Sequence, residues 1–384
     1  MDAHDAEARR RRHRRRQHGA QQAESRQRPL RRDDRHWQEA RRGVERRSAV
    51  SMMRSFSATV LAAGLVVALA AFTALAQSPG RWLMQKGAPV PAPEEEYWNA
   101  TANGKLYLMG GNQGGKNDRV LEYDIAADKW TTKKPAPWSA NHMALVEYRG
   151  KIYVFGGATV ESQPNALKSW EYDPAADSWK ELPPMPSKRT ASVAIEAGGR
   201  IYVIGGSDET GLSVATNEAF DVATGKWETH RPMPTARNHP AGGSVNGKLY
   251  VIGGRLTAAN VANMLSSATD IVEEYDPATD TWRSMTKMPY QTSGQGWITF
   301  QNRIYVAGGE LRDDHMDGIF RDFVVFDPAA NAWYRLPSMP TARHGVVLTA
   351  LGNRIHAVAG HTAFNGNGAE ALHSNVNEIF ELPR

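Results

Sequence analysis

A chain of 384 residues that is 41% hydrophobic and 9% aromatic can build a large core, and its 34 glycines and 21 prolines point to a β-rich fold with many turns. The absence of cysteine excludes a disulfide framework and leaves the redox compartment open. The net charge of +5 suggests an anionic partner, but residues 1–54 hold 17 Arg and no Lys against 8 acidic groups, a net of +9, so the remainder carries −4 and no nucleic-acid partner is expected for the folded part.

Residues 1–51 lack the apolar periodicity of a core and read as an arginine-rich disordered extension; Met52-Met53 offers a later translation start. Residues 52–76 read as a signal peptide. Arg54 precedes an uncharged Ala/Val/Leu run from Phe56 to Ala76 that ends Ala74-Leu75-Ala76, a small-x-small triplet that places cleavage before Gln77. The expected location is therefore periplasmic or secreted. The alternative is membrane anchoring by residues 56–76, a run long enough to span a bilayer; a twin-arginine signal at Arg46-Arg47 is poorly matched by the residues after it.

From residue 77 onward the chain repeats itself. Apolar runs end in glycine pairs at Gly110-Gly111, Gly156-Gly157, Gly205-Gly206, Gly253-Gly254 and Gly308-Gly309, with a degenerate sixth at Ala359-Gly360; the spacing of 46 to 55 residues is that of a propeller blade. An aromatic-Asp step and a Trp follow each of the first five, and a proline stands seven residues after each Trp: Trp130 and Pro137, Trp179 and Pro186, Trp227 and Pro234, Trp282 and Pro289, Trp333 and Pro340. Each unit predicts four strands. Strand A starts after the proline, B is the apolar run, C carries the aromatic-Asp, and D holds a Trp that packs in the core between blades.

The last unit, which ends in a strand C at Asn375 to Leu382, lacks its Trp strand. Trp82 and Pro89 repeat the spacing of seven at the other end, so the segment after residue 80 is expected to supply strand D to the last blade and close the ring. The fold class is all-β, a six-bladed propeller over residues 77–384.

The Ile-Tyr-Val-x-Gly-Gly, Tyr-Asp and Trp-to-Met-Pro pattern resembles the Kelch repeat, across residues 81–384. That resemblance implies a propeller but no single chemistry, because such propellers include protein-binding scaffolds, galactose oxidase and exported bacterial N-acetylneuraminate mutarotases. Galactose oxidase chemistry is excluded, since its copper site needs a cysteine joined to a tyrosine.

The D–A and B–C connections should share one face around the channel mouth, with longer B–C loops in blades four to six. The candidate ligand-binding residues there are His142, Arg189, Arg237, His239, Arg255, Arg343, His344 and His361. The arginines would grip a carboxylated sugar, or else bridge adjacent blades through backbone carbonyls as a general feature of the repeat. Glu310 or His239 would serve as the acid-base group of a mutarotase-like reaction. Glu310, Asp314 and His315 with His344 or His361 form no compact metal motif, so no metal and no cofactor is expected. Enzymatic activity is left open. The expected function is a protein- or glycan-binding module acting through this face, with an acidic-sugar isomerase as the alternative.

Overall fold

The apolar runs before the glycine pairs form strands buried on both faces. In blade three, strand B (Arg200–Ile204) pairs antiparallel with strand A (Val193–Ala197) and strand C (Asn217–Asp221), and strand D (Lys226–His230) lies outermost. Ile201, Tyr202, Val203 and Ile204 are all buried, because each face of this sheet packs on a neighbouring sheet. The same antiparallel order recurs in six four-stranded sheets. The structure is a computed structural model and describes residues 79–383 apart from 94–96, 112–117, 159–167, 259–266, 313–316 and 363–372. The expected extension at 1–51 and signal or anchor at 52–76 lie outside the described residues, as do Asp313, Asp314 and His315.

The ring closes as the Trp82 spacing predicts. Strand D of blade six is Arg81–Trp82, paired on Asn377–Glu381 with Arg81 opposite Glu381 and Trp82 opposite Phe380. The following strap continues the pairing through Leu83 N to Ile379 O at 2.8 Å, Gly87 N to Asn377 O at 2.9 Å and Val90 N to Asn375 O at 2.9 Å. Among the described residues there is no helix, and one element goes beyond the repeat: a hairpin of Glu310–Arg312 with Asp317–Ile319 in the B–C connection of blade five.

The core is divided. Six apolar clusters lie one at each junction of neighbouring blades, and Met185, Met233, Met288 and Met339 of the Met-Pro motif sit in four of them. The six repeat tryptophans are half-buried at blade edges rather than core residues. Each indole Nε1 donates to a carbonyl just past strand D of the preceding blade: Trp82 to Pro337 (2.7 Å), Trp130 to Ala88 (3.0 Å), Trp179 to Lys134 (3.4 Å), Trp227 to Pro183 (3.1 Å), Trp282 to Arg231 (2.9 Å) and Trp333 to Thr286 (3.0 Å). An indole has one polar atom, so a ring at a junction can cover apolar surface and still satisfy its donor across the seam.

The second glycine of each pair lets the chain cross a neighbouring carbonyl. Gly254 has φ +100°, and a Cβ there would fall 2.6 Å from Asn238 O. The degenerate sixth unit keeps the conformation of the first glycine without the residue, since Ala359 takes φ 56°.

Candidate functional site

The chain enters each strand A from the outer edge and must turn sharply at the channel mouth. Asn141, Thr190, Asn238, Ser293 and His344 form bridges with Ala158, Ser207, Arg255, Glu310 and His361, the residues just past the glycine pairs. This brings the D–A and B–C connections together on one face. The next residue in each case, His142, Ala191, His239, Gly294 or Gly345, has φ between 52° and 62°. Amide-to-carbonyl bonds then link blades around the mouth: Ala191 N to His142 O (2.8 Å), His239 N to Ala191 O (2.9 Å) and Gly345 N to Gly294 O (2.7 Å).

The sequence-predicted residues fall into three groups. The first is internal. Arg189, Arg237 and Arg343 are buried, with Arg237 and Arg343 at 0% exposure, and each guanidinium meets a strand-C carboxylate of its own blade: Glu218 at 2.7 Å, Glu273 at 2.6 Å and Glu378 at 2.7 Å. Their remaining Nη bonds go to carbonyls such as Val203, Val251 and Ala359, within one blade and not across two as expected of a bridge between blades. Burial holds each guanidinium below the usual arginine range, opposed by its glutamate. Ser187, Thr235 and Thr341 each donate a hydroxyl at 2.8 Å to the other oxygen of the same carboxylate.

A sequence signal for these triads exists and sequence reasoning missed it. The glutamate stands second in strand C only in the blades that carry the arginine. Blade two has Ala140 and Trp170 at those positions, and Trp138 in place of the hydroxyl residue stacks on Trp170 at 4.9 Å and 6°. Blade five has Thr292 and Val324 there, with Tyr290 in place of the hydroxyl residue. In both blades the two charges are lost together, as a buried ion pair must be if no charge is to remain unpaired, while blade five keeps hydroxyls in Tyr290 and Thr292.

The second group lines the mouth. His142 and His239, on blades two and four, meet edge to face at 5.0 Å across the small Ala191, and Trp98 of blade one lies 5.0 Å from His142. Each imidazole Nδ1 is within hydrogen-bond distance of the preceding asparagine: Asn141 Oδ1 at 2.9 Å and Asn238 Oδ1 at 2.5 Å. Asn238 is itself held by Nδ2 donation to Ser213 Oγ (2.9 Å) and Thr257 Oγ1 (3.1 Å). His239 lines a cavity of about 120 Å³ together with Trp98, Ser192, Gln295 and Trp297. Gln295 is 7% exposed and donates Nε2 to Ile252 O at 3.1 Å. Trp98 and Trp297 were not singled out from the sequence, because nothing in the repeat distinguishes a strand-A indole at the channel from one at a junction.

The third group is a buried polar chain under the connections of blades four to six. Arg255 Nη2 lies 3.3 Å from Glu310 Oε1, His344 Nε2 lies 3.9 Å from Glu310 Oε2, and the His344, His361 and His373 rings follow at 5.1 and 4.9 Å. Glu310, His344 and His361 are all less than a tenth exposed. The two candidate acid-base residues therefore occupy different settings, Glu310 within this chain and His239 at the mouth. Among the described residues, no group of three or more His, Asp or Glu is placed to hold a metal ion.

The repeat, the closure and the junctions agree with a family model, the KLHDC2/KLHL20/DRC7 Kelch-repeats domain, which matches residues 141–360. The chain belongs to the Kelch-repeat family. Individual Kelch relatives match over shorter stretches. Beta-scruin of Limulus polyphemus is 30% identical over 98 residues, covering 25% of this chain and 11% of that protein. Kelch repeat and BTB domain-containing protein 12 of Danio rerio is 32% identical over 102 residues, covering 23% and 16%. Kelch-like protein 34 of Homo sapiens is 32% identical over 125 residues, covering 30% and 18%. The chain thus spans less than a fifth of these relatives. A solved structure, that of YjhT, superposes with a TM-score of 0.63 at 17% identity, over 77% of this chain and 99% of that one, a likeness of fold alone. Kelch propellers commonly serve as protein-binding modules.

Proposed function

We propose that this Kelch propeller is an exported binding module that takes a side chain of a protein partner into the mouth framed by Trp98, His142, His239 and Trp297. The observation that carries this reading is the separation of groups: the mouth is aromatic and imidazole-lined, while the arginines that would grip a sugar acid are internal to blades three, four and six. A cavity of about 120 Å³ suits one anchoring side chain better than an enclosed sugar, and half-buried aromatics are the usual centres of protein recognition. Export rests on the character of residues 52–76.

Peptide selection on the whole chain, repeated on Trp98→Ala and Trp297→Ala, tests the reading. A binding motif lost in both variants supports it; a motif retained in both, or glycan binding lost in their place, sinks it. The isomerase reading keeps one observation in its favour, the buried Glu310 beside Arg255 and His344. Sugar-acid anomerisation followed by NMR and abolished by Glu310→Gln would favour that reading.

A further inference from the structure

We infer that the opposite end of the channel holds a second ligand site, selective for a small organic cation with an apolar body. Beyond the level of Trp297 the channel opens into a cavity of about 380 Å³, against about 120 Å³ at the mouth. That volume falls within the range of small-molecule pockets, about 300–1,000 Å³. Asn99, Leu145, Ala194 and Trp297 line both cavities, so the two adjoin at the level of these residues. Trp297 packs against the apolar clusters on both faces of blade four, whose inner strand is Ala241–Val245 with Gly242-Gly243 at its centre. The space left by the two absent side chains is taken by Val193 and Ile195 at Gly242 and by Thr299 and Ile304 at Gly243, so neighbouring blades close in on this strand.

The walls of the lower cavity are largely apolar, with Val146, Ile195, Ile298, Phe300 and Leu348 among them. Its rim is acidic. Glu147 and Glu196, at equivalent positions on blades two and three, both line it. Each uses one oxygen to accept the amide of its own A–B turn, Gly150 N at 2.7 Å and Gly199 N at 2.9 Å. Among the described residues neither forms an ion pair.

Five of the cations that open the B strands are paired on the outer strands: Lys105 with Glu122 and Asp124, Lys151 with Glu171 and Asp173, Arg200 with Asp221 and Glu228, Lys248 with Asp276 and Arg303 with Asp327. Arg149 lies over the Tyr148 ring, 5.0 Å from its centroid. Two carboxylates without a cation, at the edge of an apolar cavity, favour an ammonium group that makes charge-assisted hydrogen bonds to them while its hydrocarbon part fills the space behind. A neutral ligand of the same shape loses those bonds, and an anion is repelled.

Calorimetric titration of the whole chain with 2-phenylethylammonium, 2-phenylethanol and 3-phenylpropanoate tests the site. The expected result is saturable binding of the ammonium ion, about tenfold weaker binding of the alcohol and none of the acid. Glu147→Gln with Glu196→Gln keeps a carbonyl acceptor for each turn amide and should bring the ammonium ion down to the affinity of the alcohol, with an unchanged melting temperature. Trp98→Ala, at the mouth, should leave binding intact. Preference for the alcohol or the acid by the unaltered chain overturns the proposal even if the double variant fails to fold, as does ammonium binding lost in Trp98→Ala and kept in the double variant. The mouth reading is decided by peptide binding in Trp98→Ala and Trp297→Ala and this one by ammonium binding in the Glu147 and Glu196 double variant, so the two can fail separately.

Discussion

At the scale of the residue, the three buried arginine–glutamate pairs set the largest single-site costs. Arg343→Ala would leave Glu378, 2% exposed, without its cation; breaking a buried pair in this way costs about 3–5 kcal/mol. Urea unfolding should show that loss for Arg343→Ala and a much smaller one for Arg343→Met combined with Glu378→Leu, which removes both charges together as blades two and five do. An equal loss in both would mean that packing, not charge, holds the site. His356 makes a pH prediction. It is 4% exposed, with Nδ1 2.9 Å from Asn377 Oδ1, and burial lowers its pKa from the ordinary 6.5, opposed by Asn377. The unfolded chain therefore takes up a proton near pH 6.5 while the folded chain does not, so stability falls as pH drops below 6.5. His356→Gln should flatten that limb. Asp128, held below its ordinary 3.8 by hydrogen bonds from Tyr123 and the Ala88 amide, stabilises the fold in full above pH 3.8 and loses that stabilisation as pH falls through its folded value, a limb more acid than that of His356.

At the scale of the element, blades are joined by pins repeated with small variations. Where strand C carries Tyr, the fifth residue after it is Asp and accepts the phenol: Tyr123 to Asp128 at 2.6 Å, Tyr172 to Asp177 at 2.5 Å, Tyr275 to Asp280 at 2.7 Å. Where strand C carries Phe220 or Phe326, that position is Gly225 or Asn331. Asp177, Asp280 and Asn331 also accept the Lys134, Arg231 and Thr286 amides of the preceding blade. Most of this was legible in outline: the strands, their order and the closing strap follow from the spacing of glycine pairs, Trp and Pro. The role of the tryptophans was not. A Trp-rich position reads as core, and only the registered sheets show that the indole sits half-buried with its nitrogen reaching over the seam.

At the scale of the whole molecule, two strap residues close six sheets into a ring. Trp82 packs at 5.5 Å from Phe323 and 5.2 Å from Phe380 while bonding to Pro337, so it joins blades five and six by both means. Trp82→Ala should cost about 3 kcal/mol. Removal of residues 81–89 should do more: each blade is stabilised mainly by its neighbours, so an opened ring can unfold from its new edges. Fluorescence and far-UV circular dichroism should give coincident transitions in the intact chain and separated ones in the deletion. A deletion that melts like the intact chain would contradict closure by the strap.

What the sequence by itself determined is the periodic part of the molecule, because blade length, strand pattern and closure are properties of spacing along one chain. What only the tertiary structure decided is the direction in which each polar side chain points. Arg237 and His239 are two residues apart, and the sequence placed both at the mouth; in the fold Arg237 turns into its own blade toward Glu273 while His239 meets His142 from two blades away. Likewise Glu147 and Glu196 are ordinary acidic residues along the chain and become a pair only when six inner strands enclose one channel. A ring brings equivalent positions of distant repeats together, and that proximity is written in no local pattern.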